Sequence, residues 1–163
     1  FSLKNKKAVV IGASRGLGKR MALTLAKAGA DVIVASRSLN PLKEVVKEIE
    51  GLDKKSYAIE CDINNISEIE KLHHSAMEKF SKVDILINVA GTTIRKPSTE
   101  ITEEDWEKVA RVNLKGMLFA CKIFGKSMIE NGGGKIINIA SLNSFMALPG
   151  SCLLYTSPSP RDS

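Results

Sequence analysis

The chain has 163 residues, 44% of them hydrophobic and 26% charged, with a formal net charge of +6. That length holds one domain with a true core and splits poorly into two. No apolar run approaches the ~20 residues a membrane-spanning helix needs, and the basic residues are scattered among acids rather than gathered in a stripe. Neither membrane insertion nor nucleic-acid binding is therefore expected.

Short runs rich in valine and isoleucine alternate with helical patterns, beginning with "KAVVI" and continuing with "VIVAS", "YAIEC", "ILINVA" and "IINIA". Runs of this kind are strands buried on both faces of a parallel sheet. Leu17, Met21 and Leu25 mark a first helix. In the second, Leu42, Val45, Val46 and Ile49 recur at helical spacing behind Asn40 as cap and Pro41 in the first turn, where its missing N–H does no harm. Asn65 and Glu68 open a third helix as a capping pair, with Ile69, Leu72, Ala76 and Phe80 along its stripe. A longer helix from Thr102 carries Trp106, Val109, Val112, Met117 and Phe124 inward and stops at the "NGGG" that begins with Asn131. Right-handed crossovers turn this βαβαβαβαβ order into an α/β fold, a Rossmann-like doubly wound parallel sheet ordered 3-2-1-4-5.

Cys61, in a strand pattern, Cys121, on a helix, and Cys152 show no metal or redox spacing, and no leader pattern opens the chain. They are read as reduced thiols of a cytoplasmic protein. His73 and His74 are adjacent, cannot share a helical face, and are read as surface residues rather than metal ligands.

Directly after the first strand stands "GASRGLG", in which Gly12, Gly16 and Gly18 are spaced three and then one residue apart. A strand that turns straight into a helix leaves the first helical N–H groups unpaired, and glycine there lets a diphosphate approach them and the positive end of the helix dipole. A dinucleotide fits that site. An acid after the second strand would hold bare ribose hydroxyls, but this strand ends in "ASRS", with Ser36 and Arg37. A guanidinium beside a hydroxyl suits a phosphate, and Arg15 reaches the same place, so the expected cofactor is NADP(H) rather than NAD(H).

These motifs resemble the short-chain dehydrogenase/reductase family, in its classical branch, from about Leu3 to Ser151. The resemblance implies a cofactor loop of Gly12, Ser14, Arg15, Gly16, Leu17 and Gly18, followed by Ser36 and Arg37. It places Asp62 of "CDI" at the adenine ring with Ile63 beside it, and Asn88, Ala90 and Gly91 of "NVAG" against the cofactor. Val89 departs there from the family's second asparagine. "RVNLKG" puts Asn113 on the catalytic asparagine, and "IINIAS" puts Ser141 where a hydroxyl hydrogen-bonds the substrate's oxygen. Asn113 also falls on the inward stripe of its helix, so its amide must find partners.

In this family a tyrosine moves the proton on oxygen while hydride passes between the nicotinamide and carbon, and a lysine one helical turn later depresses the phenol's pKa from about 10. Tyr155 lies 14 positions after Ser141, with Ser159 where that lysine belongs; Pro158 and Pro160 oppose a helix, and the expected tyrosine position falls on Leu154. "CLLYTSPSPRD" resembles the translation of a transposase-end adapter used to prepare sequencing libraries. The expected organisation is therefore an incomplete NADP-binding domain over 1–151, cut before the last strands, and a non-native tail over 152–163, the chain itself being inactive.

"AGTTIRKPSTEITEEDW" with "GGGKIINIASLNSF" resembles the gluconate 5-dehydrogenase type within the family. That implies hydride transfer between a secondary alcohol and a ketone on a sugar acid such as gluconate, by a parent protein that is a homo-oligomer, dimeric or tetrameric. Arg95 and Lys96 are either carboxylate contacts at the substrate mouth or part of a solvated loop. Two alternatives stay open, a 3-oxoacyl-carrier-protein reductase and a nucleotide-binding module without catalysis.

Overall fold

The computed structural model describes residues 2–141. Tyr155, Ser159 and the proposed tail lie outside the described residues. Five strands, β1 (Lys7–Ile11), β2 (Asp31–Ser36), β3 (Ser56–Glu60), β4 (Ile85–Asn88) and β5 (Lys135–Asn138), form one parallel sheet in the order β3-β2-β1-β4-β5. Between them run α1 (Gly16–Lys27), α2 (Leu39–Glu50), α3 (Ile66–Phe80), α4 (Glu103–Ala110) and α5 (Met117–Glu130). The expected strand order is the observed one.

Alternation along the strands builds two cores. Val9, Ile11, Ile33, Ala35 and Leu86 face α3 and α5, where they meet Leu72, Phe80 and Phe124. Ala8, Val10, Val32, Val34, Ile85 and Ile87 point the other way, onto Ala22 and Ala26 of α1 and Leu42, Val45 and Ile49 of α2. Such double burial requires strands that are apolar throughout. Only the edges escape it. Ile136 and Ile137 of β5 are 36% and 47% exposed, whereas β4 is covered on both faces.

Several local expectations shift. The buried face of α1 is Gly18, Ala22 and Ala26 rather than Leu17, Met21 and Leu25. Small residues let the helix approach the sheet closely, and the larger ones flank the contact, with Leu17 61% exposed. Ser38, not Asn40, precedes the first turn of α2. At α3, Asn65 caps Ser67 N–H as expected, but Glu68 accepts from the Asp62 backbone N–H at 2.7 Å and from the Asn65 side chain. The long helix is interrupted by a wider π-helical stretch over Arg111–Gly116, and the buried residue of α4 is Val109, with Trp106 48% exposed. His73 is half-buried rather than freely exposed: its Nε2 lies 2.8 Å from Ser127 Oγ, and its ring meets Phe124 edge-on at 5.1 Å. Burial first, then the neighbouring His74, holds its pKa below the usual imidazole value.

The amino ends of the strands are tied by charge. Lys7 Nζ donates to Asp31, while Asp84 accepts from the Lys7 backbone N–H and from Lys82 Nζ, each at 2.9 Å. Asp31 also accepts from the Lys55 backbone N–H. No helix among the described residues is long and apolar enough to cross a membrane.

Candidate active site

At the opposite, carboxyl ends of the strands a cleft of about 650 Å³ opens between the helix layers. It continues into a second cavity of about 520 Å³ through shared walls at Leu17 and Val89 to Thr92. Its floor depends on glycine. A Cβ on Gly12 would stand 2.6 Å from Ala90 N, and one on Gly18 would collide with the Gly12 carbonyl oxygen. Gly12 and Gly16 also adopt left-handed backbone, at φ 95° and 57°. The α1 helix that follows has neither a side-chain cap nor an acid in its first turn. Its leading N–H groups and the positive dipole end therefore face the cleft unneutralised.

Ser14, Arg15, Leu17, Ser36, Arg37, Asp62, Ile63, Ala90 and Gly91 line this cleft with Gly12 and Gly18. Gly16 shapes the turn without forming a wall. Ser36 Oγ is engaged locally, donating to the Ser38 carbonyl at 3.0 Å. Asp62 Oδ1 accepts from both Asn64 N–H groups, backbone and side chain, at 3.0 and 2.9 Å. Asn88, grouped with the cofactor residues from its motif, is wholly buried and forms no wall. Its Nδ2 donates to Asn138 Oδ1 at 2.7 Å, pinning β4 to β5 at paired positions. The turn with Val89 in place of asparagine persists, since Val89 N and Ala90 N both donate to the Ile11 carbonyl.

Asn113 and Ser141 line the second cavity with Met117, Asn138 and Thr93. Asn113 sits inside the π-helical stretch, where an extra residue per turn aims it at the loop after β4. Its Oδ1 accepts from Thr92 N–H and its Nδ2 donates to the Thr92 carbonyl. Gly116 lets that stretch lie against the chain after β3, because a Cβ there would be 2.5 Å from the Ile63 carbonyl oxygen. Lys96 is spent on Asp105 at 2.7 Å and, like Arg95, is not a cleft wall.

The cleft has walls that the motifs did not announce: Ser38, Pro41, Asn64, Lys108 and Val112. For Val112 a signal existed, since it lies on the inward stripe of the helix that carries Asn113. Among the described residues, the side chains of Arg15, Arg37 and Lys108 make no ion pair or hydrogen bond, whereas nearby Lys19 pairs with Glu48 and Arg111 with Glu107. Among the described residues no cluster of three or more potential metal ligands occurs.

The short chain dehydrogenase family model matches residues 6–157. The chain belongs to that family. It is 40% identical over 146 residues to 2-dehydro-3-deoxy-D-gluconate 5-dehydrogenase of Escherichia coli (strain K12), covering 89% of this chain and 57% of that one. To the NAD-dependent glycerol dehydrogenase of Listeria innocua it is 37% identical over 150 residues, 91% of this chain and 57% of that one. A crystal structure of a short-chain type dehydrogenase/reductase from Mycobacterium marinum superposes with a TM-score of 0.89 at 29% identity, over 92% of this chain and 62% of the other. The chain thus spans about six tenths of the length of these relatives.

Proposed function

We propose that the parent protein is an NADP(H)-dependent oxidoreductase that interconverts a secondary alcohol and a ketone, with a sugar acid as substrate. The observation that carries the cofactor assignment is the pair of unpaired guanidinium groups, Arg15 and Arg37, on the walls beside an uncapped helix start. Two cations with no protein partner match a nucleotide bearing a 2′-phosphate better than one bearing a plain diol. The fit of the site to a dinucleotide rests on the cradle itself, where Gly12 and Gly18 let backbones pack too closely for any side chain and Gly16 leaves open space at the start of α1.

Bound there, the cofactor supplies or accepts a hydride. The α1 amide groups and the two arginines would hold its phosphates, and Asp62 its adenine. Ser141, at the end of β5, would hydrogen-bond the substrate's oxygen, with Asn113 fixing the loop that closes the cavity. The name of the Escherichia coli relative supports a sugar acid as substrate. The NAD-dependence in the name of the Listeria relative makes the cofactor preference the point to test.

Titration calorimetry of this chain with NADPH and NADH decides it. The expected result is tighter binding of NADPH, with the preference lost in Arg37→Ala. Equal binding of the two would overturn the 2′-phosphate assignment. Because Leu154 stands where the tyrosine is expected, and neither Tyr155 nor Ser159 supplies the tyrosine and lysine pair, this chain is proposed to bind the nucleotide without turnover. NADPH oxidation above background with a panel of ketones would refute that.

A further inference from the structure

Lys108 lines the same cleft as the glycine loop, from α4 rather than from α1. It projects from α4, whose continuation through Val112 packs with the α3–α5 layer, while α1 belongs to the other. It borders the region also lined by Arg37, Asp62, Ile63 and Asn64, and not the cavity of Asn113 and Ser141. Asp62 and Ile63 follow β3 and Ser141 follows β5, at opposite edges of the sheet. The helix start that carries Lys108 is fixed by a reciprocal cap between Thr102 and Asp105. Its ammonium has no anionic partner among the described residues, although Glu104 and Glu107 are close in sequence, and Asp62 Oδ1 is already committed to Asn64.

Arg15 and Arg37 belong to the glycine loop and the end of β2, so a cation on the α4 wall does not simply duplicate them. The flat base of a nucleotide entering this region would meet Val112 and Ile63 as apolar surface and Lys108 as a cation. An ammonium over an electron-rich ring is attracted to its face, as over an aromatic side chain. We propose that Lys108 is a base-recognition residue whose ammonium rests against the purine of the bound nucleotide. This inference rests on the nucleotide reading of the cleft.

The test is calorimetric titration of this chain and its Lys108→Met and Lys108→Arg variants with NADH and NADPH, after far-UV circular dichroism shows unchanged folds. Because both nucleotides carry the same base, Lys108→Met should weaken both by about two- to fivefold. Their affinity ratio should stay unchanged, and Lys108→Arg should bind as the unmodified chain does. Methionine keeps the apolar stem, so an unaltered affinity in Lys108→Met overturns the proposal while leaving the cleft reading intact. A loss confined to NADPH also overturns it, marking Lys108 as a phosphate contact. If the unmodified chain bound neither nucleotide, both readings would fall together.

Discussion

Asn113 clasps both backbone groups of Thr92, accepting from its N–H at 2.9 Å and donating to its carbonyl at 2.8 Å. One amide therefore ties the π-helical stretch to the loop after β4, across 21 positions of sequence. Replacing it with alanine leaves two partly buried backbone groups without partners, at a cost of about 1–3 kcal/mol. Asn113→Ala should lower stability in urea by that amount and accelerate hydrogen exchange at Thr92. An unchanged exchange rate there would show that the clasp does not hold the loop.

Two glycines of the cofactor loop should respond differently to alanine. Gly18 has the Gly12 carbonyl against its would-be Cβ, and neither backbone can yield, so Gly18→Ala should cost about 3 kcal/mol and abolish nucleotide binding. Gly16 has open space but a φ of 57°, so Gly16→Ala should cost only about 1–2 kcal/mol. Melting temperatures of the two variants give the order, and its reversal would refute the close-packing account.

Acid should destabilise the fold in two stages. His73 is kept neutral by burial and by His74, so its folded pKa lies below that of the unfolded chain. Stability should begin to fall once pH drops below the ordinary imidazole value of about 6.5. Burial alone would raise Asp31 and Asp84, but hydrogen bonds from Lys7 and Lys55 to the first, and from Lys82 and Lys7 to the second, outweigh it and lower both. Their contribution is complete above the unfolded carboxylate value of about 3.9 and is lost as pH falls through the lower folded values. Urea midpoints against pH should show both limbs. Asp31→Asn should flatten the lower one, and His73→Gln the upper.

Cys61 and Cys121 should differ in reactivity. Burial, with Glu68 and Asp62 adding negative charge, pushes the Cys61 thiol up to about 12. Cys121 is half-buried, beside Asn88 and Asn138. Peptide mass mapping after iodoacetamide treatment at neutral pH should find Cys121 alkylated and Cys61 modified only in denaturant. Equal labelling of the native protein would contradict the burial of Cys61.

The strands were readable because a sheet covered on both faces tolerates almost nothing but Val, Ile, Leu and Ala, and "KAVVI" or "VIVAS" can hardly be anything else. The glycine loop was readable for a similar reason, since Gly12 and Gly18 stand where backbones nearly touch. Periodicity misjudged α1 because it favours large side chains, while close approach to the sheet selects Gly18, Ala22 and Ala26. It misplaced Trp106 because a single continuous helix was read where α4 is short, buries only Val109 and gives way to the π-helical stretch. Asn88 was assigned by its neighbours in the motif, yet its side chain turns into the sheet. Lys108 went unnoticed because a lysine on an exposed helical face looks like solvated surface until the rest of the cleft is in place.

The ionic ties of Lys7, Asp31, Asp84 and Lys82 sit at one rim of the sheet and the nucleotide cleft at the other, with the full length of the strands between. Durability and recognition are thereby assigned to separate ends of the same scaffold. An engineer could toughen the lower rim, or retune the upper one for a different nucleotide, and expect the two sets of changes to combine additively.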